Sequence, residues 1–186
     1  MVTPQRVHHR RATGLANRAR VLTAADAVFS AEGTSASTEM VARAAGVGIG
    51  TVFRHFPTKA QLLDAVLAAR FRELGEAAER LSLGAFFRLL VRDARTKISL
   101  ADAVREAGAP ESGEAQPAGE QLVAAVTRLV AAAQAAGEVR PDVDGREVYA
   151  ILAGTARALA LMGLGDDADE RAIAVVLDGL SPAGRR

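Results

Sequence analysis

From Arg18 onward, apolar residues return at three- and four-residue spacing in one segment after another, and no run alternates apolar with polar residues. A 3.6-residue period puts such residues on one face of a helix, whereas a half-buried strand needs a period of two. The chain is therefore predicted to be all-α, with eight or nine helices separated by breaks rich in glycine, proline and small polar residues. At 186 residues, 49% of them hydrophobic, it is long enough for one domain or two small ones.

The first helix is predicted over Arg18 to Ala31, with Val21, Leu22, Ala25, Val28 and Phe29 on its apolar face and Gly33 as its stop. Ser37 is placed to cap a second helix, "TEMVARAA", with Glu39 near its positive end, and Gly46 ends it. "VGIGTVFRHF", residues 47 to 56, makes a short third helix that Pro57-Thr58 breaks. Thr58 then caps a long fourth helix striped by Leu62, Leu63, Val66, Leu67, Phe71 and Leu74. Further helices are predicted in "LGAFFRLLVRDART", the shorter "LADAVREAG", "GEQLVAAVTRLVAAAQAAG", "VDGREVYAILAGTARALALMGL" and "DADERAIAVVLDGL". Residues 108–119, "GAPESGEAQPAG", read as a flexible loop.

The net charge of +1 hides an asymmetry. Residues 1–72 hold 10 Lys and Arg against 4 Asp and Glu, while residues 73–186 hold 13 against 18. A basic head suits a polyanion and an acidic body suits solubility, although a basic tail can also arise without a partner. The first 17 residues carry Arg6, Arg10, Arg11, His8 and His9 and no acid. They read as a basic flexible arm, either following a minor groove or hanging free.

With no cysteine there is neither a disulfide nor a thiolate metal site. No stretch reaches the roughly 18 uninterrupted apolar residues of a membrane span, so a soluble, cytoplasmic protein without a membrane partner is expected. The chain has three histidines, two of them in the arm, and lacks a G-x-S-x-G elbow, a P-loop and an H-E-x-x-H pair. The acidic run "DDADE", residues 166–170, falls between helices, where Asp also serves as a cap. No catalytic residue, metal site or cofactor is assigned, and a small helical enzyme is the least favoured class.

Two short helices joined at a glycine and resting on a third make a helix-turn-helix. Gly46 falls where the second helix must end in a left-handed turn, Val47 would plug that turn, and Gly48 and Gly50 leave backbone amides bare at the start of the third helix. Val52 and Phe56 belong to the core of this head, and Phe53 either packs or faces outward. The run from Met40 to Val66, "MVARAAGVGIGTVFRHFPTKAQLLDAV", resembles the signature of the tetracycline-repressor (TetR) family of bacterial regulators. The likeness extends back through "RVLTAADAVFSAEG" and covers about 55 residues, Arg18 to Arg72; the remainder shares only the family's helical character.

The resemblance implies a DNA-binding head over residues 18–66 and a helical effector-binding and dimerisation domain over 67–186. It puts Gly48, Ile49, Gly50 and Thr51 at the major groove with Arg54 toward base edges or backbone. Phe53, His55 and Lys59 then face the DNA backbone, and Ser37 and Thr38 form the capped start of the second helix. Two departures matter: the family commonly has Ser where Gly48 stands and Tyr where Phe53 stands, so two hydroxyls are missing. Loss of one neutral hydrogen bond costs about 0.5–1.5 kcal/mol, which shifts the burden to Arg54, His55, Lys59 and the arginine arm.

By the same resemblance, the last two helices pair with their copies in a homodimer, through Leu152, Leu159, Met162, Ile173, Val176, Leu177 and Leu180. A small-molecule effector is expected against Phe86, Phe87, Leu90, Val126, Leu129 and Tyr149, residues that equally suit plain core. The expected function is a sequence-specific regulator of double-stranded DNA, a repressor released from a palindromic operator. A non-specific architectural DNA binder is the alternative, though it would want basic charge spread more widely than this acidic body allows.

Overall fold

In the computed structural model, which describes residues 4–108 and 113–182, eight α-helices follow one another and no strand occurs among the described residues. They are α1 (Pro4–Glu32), α2 (Thr38–Ala45), α3 (Ile49–His55), α4 (Lys59–Ala78), α5 (Leu83–Ala107), α6 (Ala115–Ala135), α7 (Gly145–Met162) and α8 (Asp166–Leu180). A single 3₁₀ turn, Gly33–Ser35, joins α1 to α2. No helix among the described residues is long and apolar enough to cross a membrane.

The chain divides into two units. The first is Met1–Leu67 with Ser99–Glu114, and the second is Ala68–Ile98 with Ala115–Arg186. The boundary after Leu67 lies one residue from the expected end of the head, but the expectation of an uninterrupted body over 67–186 needs correction. Leu100 and Ala103, each 2% exposed, sit in the same apolar cluster as Val21, Phe29, Val41, Val52, Phe56 and Leu62. The end of α5 thus completes the head's core, a pairing across some 40 to 80 residues that no local pattern encodes.

Three local expectations also change. Residues 4–17 continue α1 rather than forming a flexible arm: the segment lacks an apolar stripe, but a helix can propagate through such residues once nucleated beside them. The two helices expected over 83–96 and 100–108 are one, α5, because nothing between them breaks a helix. The loop expected over 108–119 ends at Glu114, where α6 begins one residue later; residues 109–112 lie outside the described residues. Glu114 is held on the head by its backbone N–H, which donates to Asp64 Oδ2 at 2.5 Å, and by its carboxylate, 2.6 Å from Arg18 Nη2.

In the second unit, α5 contributes Phe86 and Phe87, both fully buried, to a cluster with Leu122, Val126, Leu152 and Ile173. Asp144 and Glu147 form a reciprocal capping box at the start of α7. The next residue, Gly145, is where α7 meets α6: a Cβ there would lie 2.7 Å from Thr127 Cα, so only glycine permits this approach.

Candidate nucleic-acid interface

The turn between α2 and α3 is fixed by backbone bonds. Gly46 adopts φ +62°, its N–H donates to Arg43 O at 3.1 Å, and Val47 N–H donates to Ala42 O at 3.0 Å. Those two bonds are the Schellman pattern, and half-buried Val47 packs on the head's core, as its place after the turn requires. Arg20 Nη2 donates to Ala45 O at 2.6 Å and Gly46 O at 3.2 Å, clamping two further carbonyls of the turn from α1. Nothing local singles out Arg20: its partners lie 25 and 26 residues away, so only the fold reveals it.

Gly46→Ala should cost the head about 1–2 kcal/mol, the price of a Cβ in left-handed backbone. The added methyl would also approach Arg20 Nη2 to 3.1 Å, a contact the flexible side chain can relieve. Thermal melting followed by circular dichroism checks this: an unchanged midpoint would contradict the left-handed turn.

The turn positions α3. Its inward side is Val52, fully buried, with Phe56 at its end 3% exposed. Phe56 leaves the helical region, at φ −138° and ψ 89°, as the proline after it favours, and α3 stops there. The outward side carries Ile49 at 37% and Phe53 at 44% exposure, with Gly48, Gly50 and Arg54 also exposed. Phe53 therefore faces outward rather than packing. Thr51 and His55 are half-buried. Gly48 is the N-cap of α3 and supplies no side-chain bond, in keeping with its missing hydroxyl, and nothing stands where a Cβ at Gly48 or Gly50 would go. The helix surface at these glycines is open to close approach.

The flanking positions are more committed. Ser37 Oγ accepts from Met40 N–H at 3.2 Å, so it caps α2 as expected, with Thr38 half-buried beside it. The carboxyl of exposed Glu39 is held below the usual range, first by its own backbone N–H and then by the Ser37 hydroxyl. Its folded pKa is depressed, so its support of this helix end is present at neutral pH and disappears as pH falls through that value. Glu39 also brings an acid beside Ser37 and Thr38. Lys59 Nζ donates to Thr34 O at 3.1 Å and lies 5.7 Å from the centre of the Phe29 ring, tying the start of α4 to α1 and to the 3₁₀ turn after it. Thr58 Oγ1 accepts from Gln61 N–H at 3.1 Å while Thr58 N–H donates to Gln61 Oε1 at 3.2 Å. The expected threonine cap is thus a full capping box, T-x-x-Q, in which Gln61 answers Thr58.

Elsewhere, Phe86, Phe87, Leu90 and Val126 are buried in the second unit's core, and Leu129 and Tyr149 pack partly buried against it. Burial pushes the Tyr149 phenol up from its ordinary value. The expected dimer residues need a correction. Leu152, Leu159, Ile173 and Leu180 are 0–6% exposed and belong to the chain's own core, against which Val176 and Leu177 also pack. What α7, α8 and their connection leave uncovered is Met162 at 64% exposure with Ile151, Leu161, Leu164 and Val175.

Residues 21–66 match the profile of the TetR family of bacterial regulatory proteins, and residues 78–182 match the SbtR-like transcriptional-regulator C-terminal domain. A TetR transcription regulatory protein from Mycobacterium vanbaalenii is 38% identical, with TM-score 0.74, over 92% of this chain and 99% of that one. A TetR transcriptional regulator from Streptomyces coelicolor is 36% identical, with TM-score 0.68, over 90% and 99%. NalD of Pseudomonas aeruginosa, the secondary repressor of the MexAB-OprM multidrug efflux pump, shares the fold at 24% identity and TM-score 0.56, over 90% and 97%. No curated protein gives a significant match.

Proposed function

Because the chain belongs to the TetR family of bacterial transcriptional regulators, and is thus a DNA-binding regulator, we propose that it is a repressor holding a two-fold symmetric operator and released by a small molecule. The observation that carries the reading is α3: Val52 is buried while Gly48, Ile49, Gly50, Phe53 and Arg54 are presented outward from a basic head. Such a helix reads base edges in the major groove, with Lys59, His55 and the N-terminus of α2 contacting phosphates. Two copies related by a two-fold axis would set two α3 helices about one DNA turn, ~34 Å, or somewhat more apart. An effector that favours another spacing lowers DNA affinity by its differential binding, and DNA weakens effector binding by the same factor.

The second copy is proposed to cover Ile151, Leu161, Met162 and Val175. Symmetry makes each substitution count twice. Val175→Ala removes two carbons per copy, about 1.6 kcal/mol if fully buried, so the dimer should dissociate at least about tenfold more readily. Sedimentation equilibrium reads this directly, and an unchanged dimer would place the interface elsewhere.

Selection of bound sites from a random double-stranded DNA pool at near-physiological salt tests the operator. A two-fold symmetric motif is expected; recovery of unselected DNA would favour an architectural role and count against the repressor.

A further inference from the structure

Along α8, four exposed residues recur at three- and four-residue spacing: Arg171, Ala174, Val175 and Asp178. They form one stripe, with Val175, 71% exposed, near its middle. The other charges of this helix are already committed. Glu170 pairs with Arg88 at 2.9 Å and Asp166 with Arg95 at 2.6 Å, both within the second unit. Asp169 is buried with Oδ2 3.2 Å from Arg95, and Asp167 stands in the first turn, where an acid suits the helix's positive end. Arg171 and Asp178 make no ion pair among the described residues. An apolar centre thus has one free cation on one side and one free anion on the other.

That order of charges is complementary to itself. A two-fold axis perpendicular to a helix sets it antiparallel to its copy, so each residue meets one standing equally far beyond the axis. An axis midway between Ala174 and Val175 sets Arg171 of each copy against Asp178 of the other. Each of the two charges then stands about 5 Å along the helix from the crossing, at roughly 1.5 Å rise per residue. Helices that pack with axes about 8–10 Å apart leave that span within an arginine's reach. On α7 the exposed stripe is Ile151, Gly154, Ala158 and Leu161, but an axis through its middle would bring exposed Arg157 beside its own copy. Two like charges would then meet, so α8 takes the centre and α7 flanks it.

We propose that α8 crosses its own copy antiparallel at Ala174 and Val175, with Arg171 and Asp178 forming two reciprocal ion pairs that select the identical chain as partner. This register rests on the dimer proposed above and adds to it the basis of partner choice. Ion pairs between exposed side chains add little affinity, whereas like charges set face to face are costly. The pair therefore acts mainly by exclusion: a chain of the same fold with an acid at the first position or a base at the second meets its own sign.

Sedimentation equilibrium of Arg171→Glu and Asp178→Lys, separately and mixed, tests this, with a mass tag on one variant so that native mass spectrometry recognises the mixed dimer. Each variant alone sets like charges opposite at two points and should dissociate about tenfold or more more readily at low salt. The difference should shrink at about 1 M salt. Mixed in equal amounts, the two should form a heterodimer of about wild-type affinity, because every altered charge then meets its opposite. Asp178→Lys adds a cation to the last turn of α8, which the helix's negative end favours, so its loss of dimer would not reflect a weakened helix. A mixture no better than either variant alone overturns the pairing. A wild-type dimer weakened by Val175→Ala yet indifferent to both reversals overturns the register and leaves the dimer standing. A wild-type chain that stays monomeric overturns both.

Discussion

Arg54→Ala should cost the dimer about 2–6 kcal/mol of operator affinity and relax base preference at one symmetry-related pair of positions. A side chain reaching a base edge carries about 1–3 kcal/mol of discrimination, and a two-fold operator loses it twice. In affinity that is roughly thirtyfold to 10⁴-fold. The substitution is a clean probe because Arg54 is exposed at the outer side of α3 and removing it opens no hole in the head. Lys59→Ala is the contrast. Removing a lysine that pairs with a phosphate weakens binding to all sequences alike and lowers the salt slope by about one unit per copy. Its bond to Thr34 O and its place over Phe29 mean that some head stability goes with it, so melting must be measured alongside. If Lys59→Ala changed the preferred site but left the salt dependence untouched, the phosphate assignment would be wrong.

Legible in the sequence is what local chemistry determines. Ser37 as a cap, Gly46 as a left-handed stop, Val47 as a plug and Pro57 as a break are each decided by a few neighbouring residues, and the fold keeps all four. The outward set on α3 follows from the same periodicity, since Val52 and Phe56 facing the core leave Ile49, Gly50, Phe53 and Arg54 outside.

Illegible are the features made by distant segments meeting. Leu100 and Ala103 joining the head, Arg20 clamping the turn and Glu114 seated between Arg18 and Asp64 have no local signal. The four expected interface residues that belong to the core have the same origin. A wide apolar face on α7 or α8 serves both the chain's own core and a second copy, and spacing alone does not divide it. Folding gave Leu152, Leu159, Ile173 and Leu180 to the core and left Ile151, Leu161, Met162 and Val175 exposed. Asp169 is a related case: in the sequence it is one acid in a run of four, and only its burial beside Arg95 separates it from Asp166, whose side chain is 94% exposed.

Phe86→Ala should destabilise the second unit by about 3–5 kcal/mol, the range for deleting a fully buried phenyl ring. Its ring is 0% exposed in a cluster with Val126, Leu152 and Ile173, so the substitution leaves a hole that close-packed neighbours fill only in part. For a chain of this size each kcal/mol lowers the melting temperature by about 2–4 °C, so a fall of roughly 6–20 °C is expected. The same measurement separates two roles for the segment Phe86, Phe87 and Leu90. A ring fronting an effector cavity already lacks neighbours on one side, and removing it costs much less than removing a ring packed all round. A loss near 1 kcal/mol would therefore mean that a cavity opens there in solution and would return the effector to that wall. A loss of the full size would assign these residues to holding the body together.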